Sequence, residues 1–94
     1  MKSRTTKRFR QALSLLPSHI RKLAEKTYSK WKVNPWHPGL QFKKIHNQES
    51  MYSVRISLGY RALGMKEGNT IIWFWIGSHS EYNKMIAELR TLIL

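Results

Sequence analysis

The chain contains no cysteine and no aspartate, and its five acidic residues, all glutamate, stand against 17 lysines and arginines. Without cysteine there is no disulfide framework and no thiolate metal site, a usage that fits a reducing cytoplasm. Without aspartate, and with the glutamates scattered, there is no close carboxylate pair of the kind that glycosidases and two-metal nucleases require. No glycine-rich phosphate loop occurs. The four histidines, His19, His37, His46 and His79, lack metal-ligand spacing, so neither a metal nor another cofactor is expected. No apolar run reaches the length of a membrane span. The stretch Met1 to Arg10 is basic and polar with no hydrophobic segment behind it, so no secretion signal is expected. No repeat or low-complexity segment is present.

What is there is positive charge and aromatic bulk. The formal net charge is +12 over 94 residues. Residues 1–46 carry 12 basic residues and only Glu25, whereas residues 47–94 carry 5 basic residues and 4 glutamates. Such a field concentrates polyanions around the protein and speeds their encounter with it. The charge is not paired with a strongly apolar exposed helix face, which argues against a membrane-surface role. Four Trp, four Tyr and three Phe supply the large buried areas that a small core needs. The length suits one domain spanning residues 1–94.

Hydrophobic spacing divides this domain into helices followed by strands. Phe9, Ala12, Leu13 and Leu16 recur at helical intervals, with Thr5 or Thr6 as the N-cap. Pro17 suits the first turn of a second helix. There Ile20, Leu23, Ala24, Thr27, Tyr28 and Trp31 form one stripe, with Arg21, Lys22, Lys26 and Lys30 on the other faces. Asn34-Pro35 ends it. Leu40 to Ile45 alternates weakly, and His46 to Ser50 reads as a polar turn. Tyr52, Val54 and Ile56 alternate with Ser53, Arg55 and Ser57 as in a half-buried strand. Tyr60 to Met65 reads as a further strand after a turn at Leu58-Gly59. Thr70 to Gly77 is almost wholly apolar, as in a central strand covered on both faces. Simple alternation puts Trp73 and Trp75 on one face and Ile72, Phe74 and Ile76 on the other. Finally Tyr82, Met85, Ile86 and Leu89 form a helical stripe, preceded by a capping box with Ser78 as N-cap and Glu81 at N3. The expected class is α+β: two N-terminal helices packed on a three- to four-stranded antiparallel sheet, with a short C-terminal helix.

This composition suits metal-free cleavage of RNA, which needs a base near the 2′-hydroxyl, fixed positive charge on the phosphorane and an acid at the leaving oxygen. Arg55 and Arg61 lie on adjacent strands and can clamp a phosphate if they share a face. A two-residue loop at Leu58-Gly59 pairs Ile56 with Arg61 and separates the two arginines. A three-residue loop, or a bulge at Gly59, brings them together. His79, in the first turn of the last helix, is the candidate acid or base. Lys43 and Lys44 are candidate phosphate contacts, and Tyr60 a candidate base-stacking residue. Tyr82 is better placed in the core, and His46 is expected to be inert.

The segments Phe9 to Ile20 (FRQALSLLPSHI), Pro35 to Ile45 (PWHPGLQFKKI), Tyr52 to Leu63 (YSVRISLGYRAL) and Ile72 to Ile86 (IWFWIGSHSEYNKMI) together resemble the RelE/ParE superfamily of type II toxin–antitoxin toxins. The resemblance implies an antiparallel sheet with two N-terminal helices and a concave basic face that takes messenger RNA on the ribosome. It also implies neutralisation by an acidic cognate antitoxin and action in the cytoplasm. Arg61 in GYRAL matches the arginine that family ribonucleases place on the scissile phosphate, and Arg55 in YSVRIS falls near a second such residue. His79 in GSHSEY falls where YafQ-like members carry a catalytic histidine, and Lys43 and Lys44 fall near basic residues of the same face. These matches favour a ribosome-dependent endoribonuclease of the RelE/YafQ type. The alternatives are a ParE-like toxin that inhibits DNA gyrase and an inactive basic nucleic-acid-binding relative. Members usually begin with a β-strand, whereas Met1 to Thr6 is too short and too charged for a good one, which leaves the presence of that edge strand open.

Overall fold

The computed structural model describes residues 1–45 and 48–93. In chain order the elements are β1 (Lys2–Thr5), α1 (Lys7–Ser14), α2 (Ser18–Val33), a 3₁₀ turn (Pro38–Leu40), β2 (Lys43–Ile45), β3 (Gln48–Ser57), β4 (Tyr60–Glu67), β5 (Thr70–Ser78) and α3 (His79–Ile93). The strands form one sheet in the order β1-β5-β4-β3-β2. Neighbours are antiparallel except for β1, which runs parallel to β5. The α1–α2 hairpin packs on one face and α3 on the other.

Both N-terminal helices form where the apolar spacing puts them. Thr6 is the N-cap of α1, its hydroxyl accepting from the Phe9 N–H at 3.0 Å. The buried seam of α2 is Ile20, Thr27 and Trp31, with Leu23 and Tyr28 left at its exposed margins. Arg21 ties the hairpin together by donating to the carbonyls of Leu16 (2.7 Å) and Ser14 (3.3 Å), at the end of α1 where no helical N–H is available.

One question left open by the sequence is settled, and three expectations are corrected. A first strand does exist: Lys2 N–H donates to Asn69 O (2.8 Å) and Thr6 N–H to Trp73 O (3.0 Å). The charge that argued against β1 is what a solvated edge strand carries, since only one of its sides is paired. The sheet is therefore five-stranded and mixed, not purely antiparallel. The last helix is 15 residues long, not short. β3 already begins at Gln48, so the polar run to Ser50 is strand in its second half. His46 and the side chain of Leu89 lie outside the described residues.

The central strand also departs from simple alternation. Leu63 pairs with Trp75 but Gly64 pairs with Trp73, leaving Phe74 as an extra residue in β5. This bulge turns Ile71, Trp73 and Ile76 toward the helical hairpin, and Phe74 and Trp75 toward α3. Trp73 meets Trp31 edge-on, with ring centroids 5.5 Å apart. Neither indole N–H has a hydrogen-bond partner among the described residues, so each is desolvated without compensation. The Trp73 ring and Ile71 lie over Gly64, where a β-carbon would come within 2.5 Å of Ile71 Cγ2 and 2.8 Å of Trp73 Cε3. Both neighbours are buried, so neither has free room to move. Replacing Gly64 by Ala is expected to destabilise the protein by about 1–3 kcal/mol through overpacking. A lowered denaturant midpoint with unchanged slope would show it, and an unchanged midpoint would contradict it.

Candidate nucleic-acid interface

The face of the sheet turned toward α3 collects the charged candidates. From Met51↔Met65 through Val54↔Ala62 the β3–β4 ladder is regular, and it continues to Arg55↔Arg61. The next pair is Ser57↔Tyr60, so Ile56 is left over as a bulge. The connection is thus the two-residue loop Leu58-Gly59, yet the arginines lie directly opposite each other. The compensating residue is Ile56, one strand position before the turn, and not Gly59. Ile56 packs against the core under the helical hairpin, which rewards the extra residue for turning inward.

Arg61 is held in place by its own backbone surroundings. One guanidinium nitrogen donates to Ser57 O at 2.6 Å and Tyr60 O at 3.0 Å, bracing the turn. Desolvation by burial, and then the positive charge of Arg55, pull its pKa below the ordinary arginine value, with Tyr82 acting in the opposite direction. No carboxylate offsets the pair among the described residues. Two arginines directly opposite each other in the ladder suit an anion, because a phosphate would relieve their repulsion while accepting their hydrogen bonds.

His79 stands at the same end of the sheet. Arg61 pairs with Gly77 across the β4–β5 ladder, and His79 follows two residues later as the first residue of α3, exposed. Its N–H donates to Gly59 O at 2.8 Å, which pins the start of α3 to the β3–β4 turn. The predicted capping box is present. Ser78 Oγ accepts from the Glu81 N–H (3.2 Å), while Glu81 Oε1 accepts from the Ser78 N–H (3.2 Å) and hydroxyl (2.8 Å). Gly77 is needed beneath the site, since a β-carbon there would lie 2.6 Å from the Trp75 ring.

Tyr82, expected in the core, does pack against the cluster of Ile45, Met51 and Leu63, and it also borders the candidate site. Half-buried, it lies over His79 with ring centroids 6.0 Å apart and planes 22° from parallel, and 6.5 Å from the Trp75 ring. Arg55 and Arg61 face each other across β3 and β4, and Tyr82 lies over His79, at the same end of the sheet. The signal was present in the sequence: residues 79 and 82 are three apart in a helix and therefore share a face.

The remaining candidates divide between the two faces. Lys43 pairs with Ser53 and Lys44 with Tyr52. Cross-strand partners share a side, so Lys43 joins the arginine face and Lys44 emerges on the hairpin side with Tyr52. Tyr60 alternates with Arg61 along β4, half-buried between Ser57 and Ser78 in the sheet; the structure does not bring it together with the arginine pair. Among the described residues no cluster of His, Cys, Asp or Glu could hold a metal ion, and no helix is long and apolar enough to cross a membrane.

A bulged sheet held between a helical hairpin and a C-terminal helix is the α+β arrangement of the RelE-like fold. The fold is similar to RelE in the RelB–RelE antitoxin–toxin complex of Methanococcus jannaschii, at 24% identity and a TM-score of 0.72, covering 87% of this chain and 96% of that one. It is also similar to the RelE–RelB complex of Pyrococcus horikoshii (15% identity, TM-score 0.66, covering 82% and 92%). A third likeness is to YafQ of E. coli (7% identity, TM-score 0.65, covering 86% and 96%). A family model described as the ParE-like toxin domain matches residues 18–84. The chain therefore belongs to the ParE-like toxin family, within the RelE/ParE superfamily. Comparison with curated proteins yields no match.

The capping box makes a testable link between pH and stability. Hydrogen bonds from the Ser78 side chain and backbone, with a smaller contribution from Lys84, hold the Glu81 carboxyl below the ordinary glutamate value against a weak opposing effect of burial. A lowered folded-state value means that the carboxylate's contribution is complete above the ordinary glutamate range and is lost as pH falls through the lowered one. The difference in thermal midpoint between wild type and Glu81→Gln should therefore shrink on acidification; a pH-independent difference would contradict this. Ser78→Ala is expected to cost about 1 kcal/mol.

Proposed function

We propose that this protein is a toxin acting as a metal-independent, ribosome-dependent endoribonuclease on messenger RNA, and so inhibits translation. The observation that carries the reading is the facing of Arg55 and Arg61 at the end of the sheet where His79 and Tyr82 stand. In this reading the RNA 2′-hydroxyl attacks the adjacent phosphorus while His79 takes its proton. The bond from phosphorus to the 5′-oxygen breaks, leaving a 2′,3′-cyclic phosphate, while the departing 5′-oxygen takes up a proton, delivered by the protonated His79 or by water. Arg61 and Arg55 stabilise the charge of the phosphorane. Lys43, on the same face, holds the strand. The histidine is exposed and the arginines half-buried, which suits a proton carrier that must meet substrate beside charges that must not move.

An acidic antitoxin is the protein partner in this proposal. The Methanococcus jannaschii structure is an antitoxin–toxin complex and the Pyrococcus horikoshii one a RelE–RelB complex, and a chain of net charge +12 is electrostatically complementary to an acidic partner. Ribosomes as target place the action in the cytoplasm. A second reading, inhibition of DNA gyrase, is favoured by the ParE-like description of the matching family model.

Induced expression followed by primer extension on an abundant transcript tests the proposal. Wild-type protein is expected to arrest growth and create new cleavage ends. Arg61→Ala should lower cleavage about 10²- to 10³-fold, and His79→Ala about 10²- to 10⁴-fold. Arrest without new ends, accompanied by altered DNA supercoiling, would replace the ribonuclease with the gyrase reading.

A further inference from the structure

The loop from α2 to β2 displays a tryptophan that the arginine face does not use. Trp36 is 57% exposed, yet it is firmly placed. Its N–H donates to Asn34 Oδ1 (3.1 Å), and the Gly39 N–H donates to His37 Nδ1 (3.1 Å). The His37 N–H donates to Asn34 O (3.1 Å) and the Leu40 N–H to His37 O (3.0 Å). Pro35 and Pro38 restrict the backbone on either side, and buried Leu40 anchors the far end. Beneath the indole lies Phe42, with ring centroids 5.0 Å apart, and Phe42 stacks in turn on Tyr52 at 4.9 Å and 25°.

This aromatic row is bordered by cations. Lys66 Nζ sits 5.9 Å from the centre of the Tyr52 ring, and exposed Lys44 is the cross-strand partner of Tyr52. A rigid open π-face beside lysines is the combination that holds an unpaired base and its phosphates. The row is also continuous with the arginine face. β2 is the outer strand of the sheet, with Lys43 on the arginine side and Lys44 on the aromatic side. From β4 to β2 is two strand spacings, about 10 Å.

We propose that Trp36 is a stacking platform for an unpaired base of a single RNA strand that passes from the arginine face over the β2 edge, with Lys44 and Lys66 contacting its phosphates. This rests on the reading of the arginine face as an RNA site, but it concerns binding and not cleavage.

The test is equilibrium binding of a labelled, non-cleavable 2′-O-methyl oligouridylate, followed by fluorescence anisotropy at several salt concentrations. Trp36→Leu, which keeps Phe42 covered but removes the π-face, should weaken binding about 5- to 150-fold with little change in salt dependence. Trp36→Phe should retain most of the affinity, and Lys44→Gln should flatten the logarithmic salt slope by about 0.7. Thermal melts of each variant check that it is folded. Wild-type affinity in folded Trp36→Leu would overturn the platform and leave the patch to a protein partner, with the cleavage proposal untouched. Failure of the wild type to bind would overturn the platform, while the ribosome-dependent cleavage reading is decided separately by the presence or absence of new transcript ends. Loss of binding in Trp36→Leu, in a protein that makes no new transcript ends, would support the platform while removing the ribonuclease.

Discussion

The contact between Trp31 of α2 and Trp73 of β5 joins the two halves of the molecule. An indole needs space, and Trp73 finds it over Gly64, the one position of β4 where a missing β-carbon is required by the ring above it. Seating Trp73 there accompanies the bulge at Phe74, and the bulge reverses the direction of every later side chain in β5. Trp75 consequently points to the opposite face, over Gly77, where it meets Tyr82 of α3. A packing choice in the core beneath the helical hairpin is thus transmitted through the strand to the helix that begins with His79. The uncompensated indole N–H groups are the cost of this arrangement, outweighed by the large apolar area the rings remove from water.

A second bulge organises the charged face. Without Ile56 as an extra residue, the two-residue turn would put Arg55 and Arg61 on opposite sides of the sheet. With it, they face each other, and the guanidinium of Arg61 is clamped by carbonyls of the same turn. The two bulges act on adjacent ladders, one beside the β3–β4 turn and the other midway along β4 and β5. One brings the arginines together and the other turns Trp75 toward the helix bearing Tyr82 and His79, so the candidate site is assembled from irregularities in the sheet. The remaining basic residues are spread over both faces, and β2, with Lys43 and Lys44 on opposite sides, marks the edge where the faces meet.

Much of this was legible in the chain. The helical stripe from Ile20 to Trp31, the capping box of Ser78 and Glu81, and the doubly buried strand from Thr70 all follow from local periodicity and capping chemistry. The residue types required for phosphate chemistry, and the resemblance that identified the family, were also visible. Other features were not. β1 is too short and charged to announce itself, and it is a strand only because β5 offers a paired edge and a parallel partner. Tyr82 does pack against the core as its apolar stripe implies, but that its ring also lies over His79 was not read from the stripe. Trp36 gave no sign of being exposed, because an aromatic residue between two prolines reads equally well as buried.

Sequence alone determined the class of the fold, the order of helices before strands, the sign and distribution of charge, and the residues available for chemistry. These depend on interactions between neighbours a few positions apart, and on composition. Only the tertiary structure decided which of those residues share a face. A single extra residue in a strand inverts all that follows it, and whether it is accommodated depends on the fit of Ile56 and Trp73 into a core built from distant parts of the chain.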